Sequence, residues 1–269
     1  MNSWKSLPGV IGLKTGRLDC KGDVDAKRNM AEKGIGSIQC QLARPGSSLQ
    51  KYRLASVGSR SYLRLALYEV ILLVAGSVPG VMGRGLRRTL YPILFNHVGR
   101  SVVFGLDCSF RRPHCIELGD NVFLSERVAL DVKSDNAAII LRDGVFVGEA
   151  TVFSCPGGKM DIGEQTAIGK FSRLGSLEGL TVGRRCNIGN YTYIVGAGHA
   201  SDSLERPIIE QPVICKGASV LGEEVTLGDR VTVLDGVTIG SGAVVESGSL
   251  VIRNVEPGSR VSGVPARNR

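Results

Sequence analysis

The amino-acid sequence predicts an all-β repeat fold, a parallel β-helix, carrying a helical and apolar extension on its N-terminal side. Three observations in the 269-residue chain predict it: a six-residue apolar period, small residues at a fixed offset from it, and interruptions that all fall at one phase. From Cys215 onward every sixth residue is apolar, through Leu221, Leu227, Val233, Ile239, Val245 and Val251. Four residues after each of the first six stands a small or β-branched residue: Ser219, Val225, Val231, Val237, Ala243 and Ser249. Glycine often follows the apolar residue, as at Gly222, Gly228 and Gly240. A fixed short period is the mark of a stacked repeat. Each hexad reads as a short strand and a turn, and three make a triangular coil of roughly 18 residues that stacks at ~4.8 Å. The apolar residue points into the prism and the small one fits the corner.

The same beat runs upstream in triplets: Leu118, Leu124, Leu130; Leu141, Val147, Phe153; Ile162, Ile168, Leu174; Val182, Ile188, Ile194. Within a triplet the step is six; between triplets it is 11, 9, 8 and then 21, from Ile194 to Cys215. Each slip follows a third hexad, so every insertion is expected at one edge of the prism. The largest, about residues 200–213, follows His199, and a stack of loops with a histidine at its lip is the expected place for a site.

The parts upstream read differently. Residues 1–60 are polar and basic with weak periodicity, and are expected to be largely extended or disordered. Residues 61–100 form an apolar, basic, helical segment. Tyr62 to Ala75 is strongly apolar, Gly76, Pro79 and Gly80 break it, and Arg84, Arg87 and Arg88 follow. The run is too short to span a bilayer, which takes ~20 residues. An interfacial helix with a basic flank fits, as does a cover for the first coil, which a solenoid end requires. Coils are expected from about Val102, with Arg112 at an inward position, so the β-helix domain is placed at 101–254 and a C-terminal tail at 255–269.

Charge supports this division. Residues 1–100 carry net +11 and residues 101–269 net −3. Nucleic-acid binding needs a basic stripe with aromatics or a known motif; aromatics are 5% of the chain and no such motif is present, so that class is excluded. A basic flank beside an apolar helix points instead to an anionic membrane surface. The seven cysteines have no CxxC spacing, and Cys186 and Cys215 fall on small or inward hexad positions, as small core residues do. With no apolar leader in residues 1–60, the cytoplasm is the expected compartment, with peripheral contact at the inner membrane face.

Several motifs together carry a family resemblance: the hexads, Gly198-His199 before the long loop, Gly236-Val237-Thr238-Ile239-Gly240, Ser247-Gly248-Ser249, and Gly263-Val264-Pro265-Ala266-Arg267. Over about residues 101–269 the chain resembles the hexapeptide-repeat acyltransferases, and within them the maltose/galactoside O-acetyltransferase group. The resemblance implies a left-handed β-helix, although crossovers between parallel strands are otherwise right-handed. It also implies a homotrimer and acyl transfer from acetyl-coenzyme A or another acyl-coenzyme A, without a metal. It places His199 as the catalytic base and Asp229, Ser247, Ile252, Arg253 and Arg267 along coenzyme A. The chemistry agrees. An acceptor hydroxyl attacks a thioester only if a base takes its proton, and neutral imidazole, with an unperturbed pKa of ~6.5, suits that role. Arg253 and Arg267 suit the cofactor phosphates. An orienting carboxylate for His199 is open; Asp202 and Glu205 are nearest in sequence.

The acceptor side departs from the group. Gly169 stands where the sugar acetyltransferases have an acceptor-binding asparagine, Leu177 where they have an aspartate, and Thr226 where an aromatic lies near the cofactor. A zinc site of three histidines, as in a related β-helix class, would need His97, His114 and His199 to converge, and His97 precedes the regular coils. The expected activity is therefore O-acylation of a carbohydrate hydroxyl in surface polysaccharide or lipopolysaccharide synthesis. N-acylation of an amino sugar or small amine, and a non-catalytic β-helix scaffold, are the alternatives.

Overall fold

The protein is described by a computed structural model covering residues 46–200, 205, 207, 208 and 211–269. The hexads wind into a three-faced parallel prism of seven coils. The first face runs from His97–Val98 through Ile116–Leu118, Ala138–Leu141, Lys159–Ile162, Leu180–Val182 and Ser219–Leu221 to Thr238–Ile239. The second face begins at Val103–Phe104 and the third at Ser109–Arg111, each stacked in chain order. In-register partners carry one apolar position per coil: Val182 pairs with Leu221 and Leu221 with Ile239, Ile188 with Leu227, and Ile194 with Val233. Leu227, Val233, Ile239 and Val245 are buried, as are Ser219, Val225, Val231, Val237, Ala243 and Ser249 at the small positions. The architecture is consistent with the left-handed β-helix that the resemblance implies.

Small polar residues at inward corners are satisfied along the stack. Thr151 Oγ1 donates to the Gly169 carbonyl at 2.8 Å and Thr166 Oγ1 to that of Gly183 at 2.9 Å. A buried hydroxyl left unpaired would cost stability, so the next coil supplies its acceptor.

The three edges differ. The first two turn tightly, coil after coil, through a residue in the left-handed region, such as Asn121, Gln165, Tyr191 and Arg230, with φ between 55° and 58°. The glycine two positions earlier lets the coils touch: a Cβ on Gly189 would lie 2.5 Å from the Gly228 carbonyl carbon. The third edge is where every interruption emerges, as expected from the triplets.

Four boundaries differ from expectation. Cys215 is not an inward strand residue. The strand resumes at Ser219, and Cys215 is half-buried in the returning loop, its Sγ 3.2 Å from the Gly196 carbonyl oxygen. An antiparallel ribbon of Gly198–His199 with Val213–Ile214 occupies the gap, and the six-residue offset of Cys215 from Leu221 is coincidental. The first coil starts earlier than Val102: His97–Val98 pairs with the next coil, and Val98, Phe104 and Phe110 are its hexad residues. Arg112 is not inward-pointing. It turns at φ 49° and spends its guanidinium on the Leu54 carbonyl and the Asp135 carboxylate. At the other end β structure passes residue 254: Val255 bridges Ile239, Arg260–Ser262 joins the second face, and Arg267–Asn268 returns antiparallel to it.

The N-terminal part forms helices α1 (Ser48–Ser56), α2 (Tyr62–Ala75) and α3 (Gly80–Leu90). Helix α1 lies in the stretch expected to be extended. Ser47 and Gln50 close a reciprocal capping box at its start, which secures two amides that helix geometry leaves open. The rest of that stretch, residues 1–45, lies outside the described residues. Together α2 and α3 cover the first coil. Tyr91 and Phe95 meet Phe104 and Phe110 edge-to-face or tilted, with centroids 4.9 to 5.7 Å apart. The buried Arg87 donates to the carbonyls of Phe104, Ala75 and Val78 at 2.8 to 3.1 Å. Tyr68 Oη donates to the Phe110 carbonyl at 2.7 Å. Among the described residues no helix is long and apolar enough to cross a membrane.

Candidate active site

His199 stands on the outgoing strand of the antiparallel ribbon at the third edge, just past the fifth coil, and is exposed. Its Nδ1 lies 3.1 Å from the Gln211 carbonyl oxygen. A carbonyl only accepts, so this contact places the ring proton on Nδ1 and leaves the lone pair on Nε2. The ribbon is closed just beyond by the Ala200 amide donating to the Pro212 carbonyl at 2.9 Å. Among the described residues, the partner of Nδ1 is this backbone carbonyl. Of the two carboxylates nearest in sequence, Asp202 lies outside the described residues and Glu205 is exposed.

Asp229 and Ser247 occupy the second edge, one coil apart, in a ladder of side chains that cap corner amides. The Asn190 Oδ1 accepts from the Lys170 amide at 2.9 Å and the Asp229 Oδ1 from the Asn190 amide at 2.7 Å. The Ser247 Oγ accepts from the Asp229 amide at 3.1 Å. One oxygen of each is thereby used for the fold. Asp229 and Ser247 line a groove of about 400 Å³ together with Asn190, Tyr191, Arg230 and Gly248. A stacked pair lies beside it: the Phe171 and Tyr191 rings are 5.3 Å apart and near-parallel, and the Arg230 guanidinium sits 5.8 Å from the Tyr191 centroid.

Ile252 and Arg253 follow the last strand of the third face, so they share the third edge with His199; both are exposed. Arg267 lies opposite Ser262 on the terminal hairpin that extends the second face, also exposed. The expected residues therefore fall into two groups. His199, Ile252 and Arg253 stand at the third edge; Asp229 and Ser247 stand at the second, with Arg267 on the hairpin at the end of that face. The third face separates the groups within one chain.

The departures have a structural basis. A Cβ on Gly169 would approach the Asn190 nitrogen to 2.6 Å, so no longer side chain fits this corner without parting the coils. Leu177 is buried. His97 and His114 belong to the far end of the prism, on the first coil and on the short turn that leaves it. The groove residues Asn190, Tyr191 and Arg230 and the acceptor carbonyl of Gln211 were not singled out from sequence. Their signal was available only for the first three, as recurring corner positions in successive coils.

No protein-family model and no curated protein sequence matches the chain. Among solved structures it is similar to the polySia-specific acetyltransferase NeuO, at 19% identity and a TM-score of 0.49 over 64% of this chain and 80% of that one. It is similar to a variant of AntD, an N-acyltransferase from Bacillus cereus, in complex with dTDP-4-amino-4,6-dideoxyglucose and coenzyme A. That match has 18% identity and a TM-score of 0.48, over 68% of this chain and 87% of the other. A third is a hexapeptide-repeat-containing acetyltransferase from Vibrio cholerae O1 biovar eltor complexed with acetyl-coenzyme A, at 23% identity and a TM-score of 0.37, over 83% and 97%.

Proposed function

We infer that the protein is an acyl-coenzyme A-dependent O-acyltransferase, most simply an acetyltransferase, acting on a carbohydrate hydroxyl in the synthesis of a surface polysaccharide or lipopolysaccharide. The observation that carries the reading is the pairing of His199 Nδ1 with the Gln211 carbonyl, which leaves Nε2 as a proton acceptor at an exposed edge. His199 takes the acceptor's hydroxyl proton as the oxygen bonds to the thioester carbonyl carbon. The carbon–sulfur bond breaks and the imidazolium returns the proton to the leaving thiolate, so the base is regenerated.

The donor fits the second group of residues. The Asp229 Oδ2 and the Ser247 hydroxyl offer an acceptor and a donor to the amides of a pantetheine arm, and Arg267, joined by Arg253 from the third edge of the neighbouring subunit, is an exposed cation for its phosphates. Because the two groups sit apart in one chain, the complete site needs the third edge of one subunit against the second edge of another. A cyclic homotrimer supplies that arrangement three times.

The test is release of free coenzyme A from acetyl-coenzyme A against a panel of sugar nucleotides, oligosaccharides and amino sugars, with His199→Ala as control. Turnover on a hydroxyl acceptor that the control lacks is expected. Turnover confined to amines would make the reaction N-acylation. Failure of the protein to bind acetyl-coenzyme A at all would leave a scaffold and end the enzymatic reading.

A further inference from the structure

Helices α2 and α3 use one side to cover the first coil, and the other side of α2, with the first turn of α3, is apolar and bare. Leu65, Tyr68, Ile71 and Ala75 are the buried side of α2, Ile71 and Ala75 in the prism core and Leu65 and Tyr68 against Val57. On the opposite side Leu63, Leu67, Val70 and Val74 recur at steps of four, three and four, with Leu73 beside them, which places them on one stripe. All are exposed, Leu63 and Leu73 to 83%. The first turn of α3 adds Val81 and Met82, exposed to 85% and 79%. Side chains of this size are seldom bare in a group, and contiguous apolar patches mark interaction surfaces.

The charge around the patch selects the partner. Residues 46–100 contain eight lysines and arginines and one acid, Glu69, which accepts the Tyr52 hydroxyl at 2.7 Å. Arg60 stands at the start of α2, and Arg84 and Arg88 continue the α3 stripe one and two turns beyond Val81; all three are exposed. A partner that meets exposed leucine, valine and methionine and also a ring of cations has an apolar interior behind an anionic surface. A second copy of this chain would bring the same cations together.

We propose that the outer face of α2 and α3 docks the protein peripherally on an anionic lipid bilayer, with Leu63, Leu73, Val81 and Met82 entering the acyl boundary and Arg60, Arg84 and Arg88 at the headgroups. The patch lies on the far side of the cap, so docking stands the prism on its N-terminal end. His199 would then sit four coils from the first, about 20 Å along the stack at ~4.8 Å per coil. Docking does not depend on the acyl-transfer reading and is read without any assay of activity.

The test is co-sedimentation of the full chain with phosphatidylcholine vesicles and with vesicles of phosphatidylcholine and phosphatidylglycerol. Light scattering of the free protein runs in parallel. The expected result is binding to the anionic vesicles only, weakened at least tenfold by Leu73→Asp with Met82→Asp, and weakened by Arg84→Gln with Arg88→Gln at low salt but little at high salt. These positions are exposed, and circular dichroism checks that the variants fold. Wild-type protein that stays in the supernatant with anionic vesicles overturns the proposal, as does binding that the aspartate pair leaves unchanged. Aspartates that split an oligomer, without any vesicle binding by the wild type, would overturn it in favour of a contact between copies.

Discussion

His199 Nδ1 and the Gln211 carbonyl oxygen stand 3.1 Å apart across the base of the longest insertion, which couples the ring to the returning strand. The ring's tautomer is therefore set by the backbone. His199→Ala is expected to lower turnover ~10²–10⁴-fold while leaving acetyl-coenzyme A affinity near wild type, since the base meets the acceptor proton and not the phosphates. Turnover and donor affinity of the variant, measured beside the wild type, read both; an unchanged turnover would remove His199 from the role.

On the proposed trimer two edges meet to complete the site, so two crippled subunits should repair each other. His199→Ala damages the third edge and Ser247→Trp fills the groove at the second. Each variant alone is expected to be inactive. Co-expressed and co-purified, they should recover a measurable fraction of wild-type turnover, because a mixed trimer contains some interfaces with both edges intact. No recovery from a verified mixed oligomer would place the whole site within one chain.

Arg267 should act on affinity and not on chemistry. Arg267→Ala is expected to raise KM for acetyl-coenzyme A about tenfold or more with kcat largely kept, since one charge-assisted contact is worth ~1.5–3 kcal/mol. Loss of kcat at unchanged KM would contradict this. Steady-state kinetics with varied donor decide it.

The stack should be far more sensitive inward than outward. Leu227 is 1% exposed and paired between Ile188 and Val245. Leu227→Ala should cost ~2–5 kcal/mol. Val220, outward-facing and 37% exposed on the neighbouring face, should cost under ~0.5 kcal/mol when replaced by alanine. Denaturant midpoints of the two variants, measured side by side, make the comparison.

The N-terminal cap should loosen in alkali. Burial, with a further push from Cys108, raises the Tyr91 phenol to about 12, and burial raises that of Tyr68 as well. Above pH ~10, the ordinary phenol value, the unfolded chain loses these protons while the folded one keeps them. Stability is therefore full below pH ~10 and declines as pH rises toward the folded values. The Tyr91 hydroxyl is buried with no hydrogen-bond partner among the described residues. Tyr91→Phe should then be neutral or stabilising at pH 7 and should flatten the alkaline decline. A Tm series from pH 8 to 11.5 reads both effects; a less stable Tyr91→Phe at pH 7 would contradict the first.

Much of this was legible because a hexad leaves little freedom. The inward residues, the corner glycines and the single edge of insertion follow from counting, and Leu118 through Val251 lie where the count puts them. The errors arose where a different structure mimicked or hid the period. Cys215 sits six residues before Leu221 and is small and apolar, yet it belongs to a ribbon whose antiparallel pairing leaves no period in so few residues. The first coil begins at His97 and not near Val102 because its opening strand is only two residues long, and its inward positions hold Phe104 and Phe110, whose rings meet Tyr91 and Phe95 of the cap. Helix α1 is too short and too polar to announce itself without its packing. The partner of His199 was hidden for another reason: a backbone carbonyl is present at every residue, so no side chain at position 211 could signal it. The groove at the second edge was half visible, through Asp229 and Ser247, and the rest becomes visible only when corner residues from adjacent coils are set side by side.

The unequal edges bear on how such a chain can change over time. Two corners are sealed by glycines whose coils are in contact and by side chains that each bridge to the coil before, as Asn190, Asp229 and Ser247 do. An extra residue there would break a run of contacts along the whole stack. The third corner already carries additions of several lengths, and the strands on either side of them keep their register. Novelty can therefore accumulate along one seam, beside the histidine, without being felt by the rest of the molecule. A lineage built on this plan can rewrite the loops of one edge while the stacked corners of the other two are inherited unchanged.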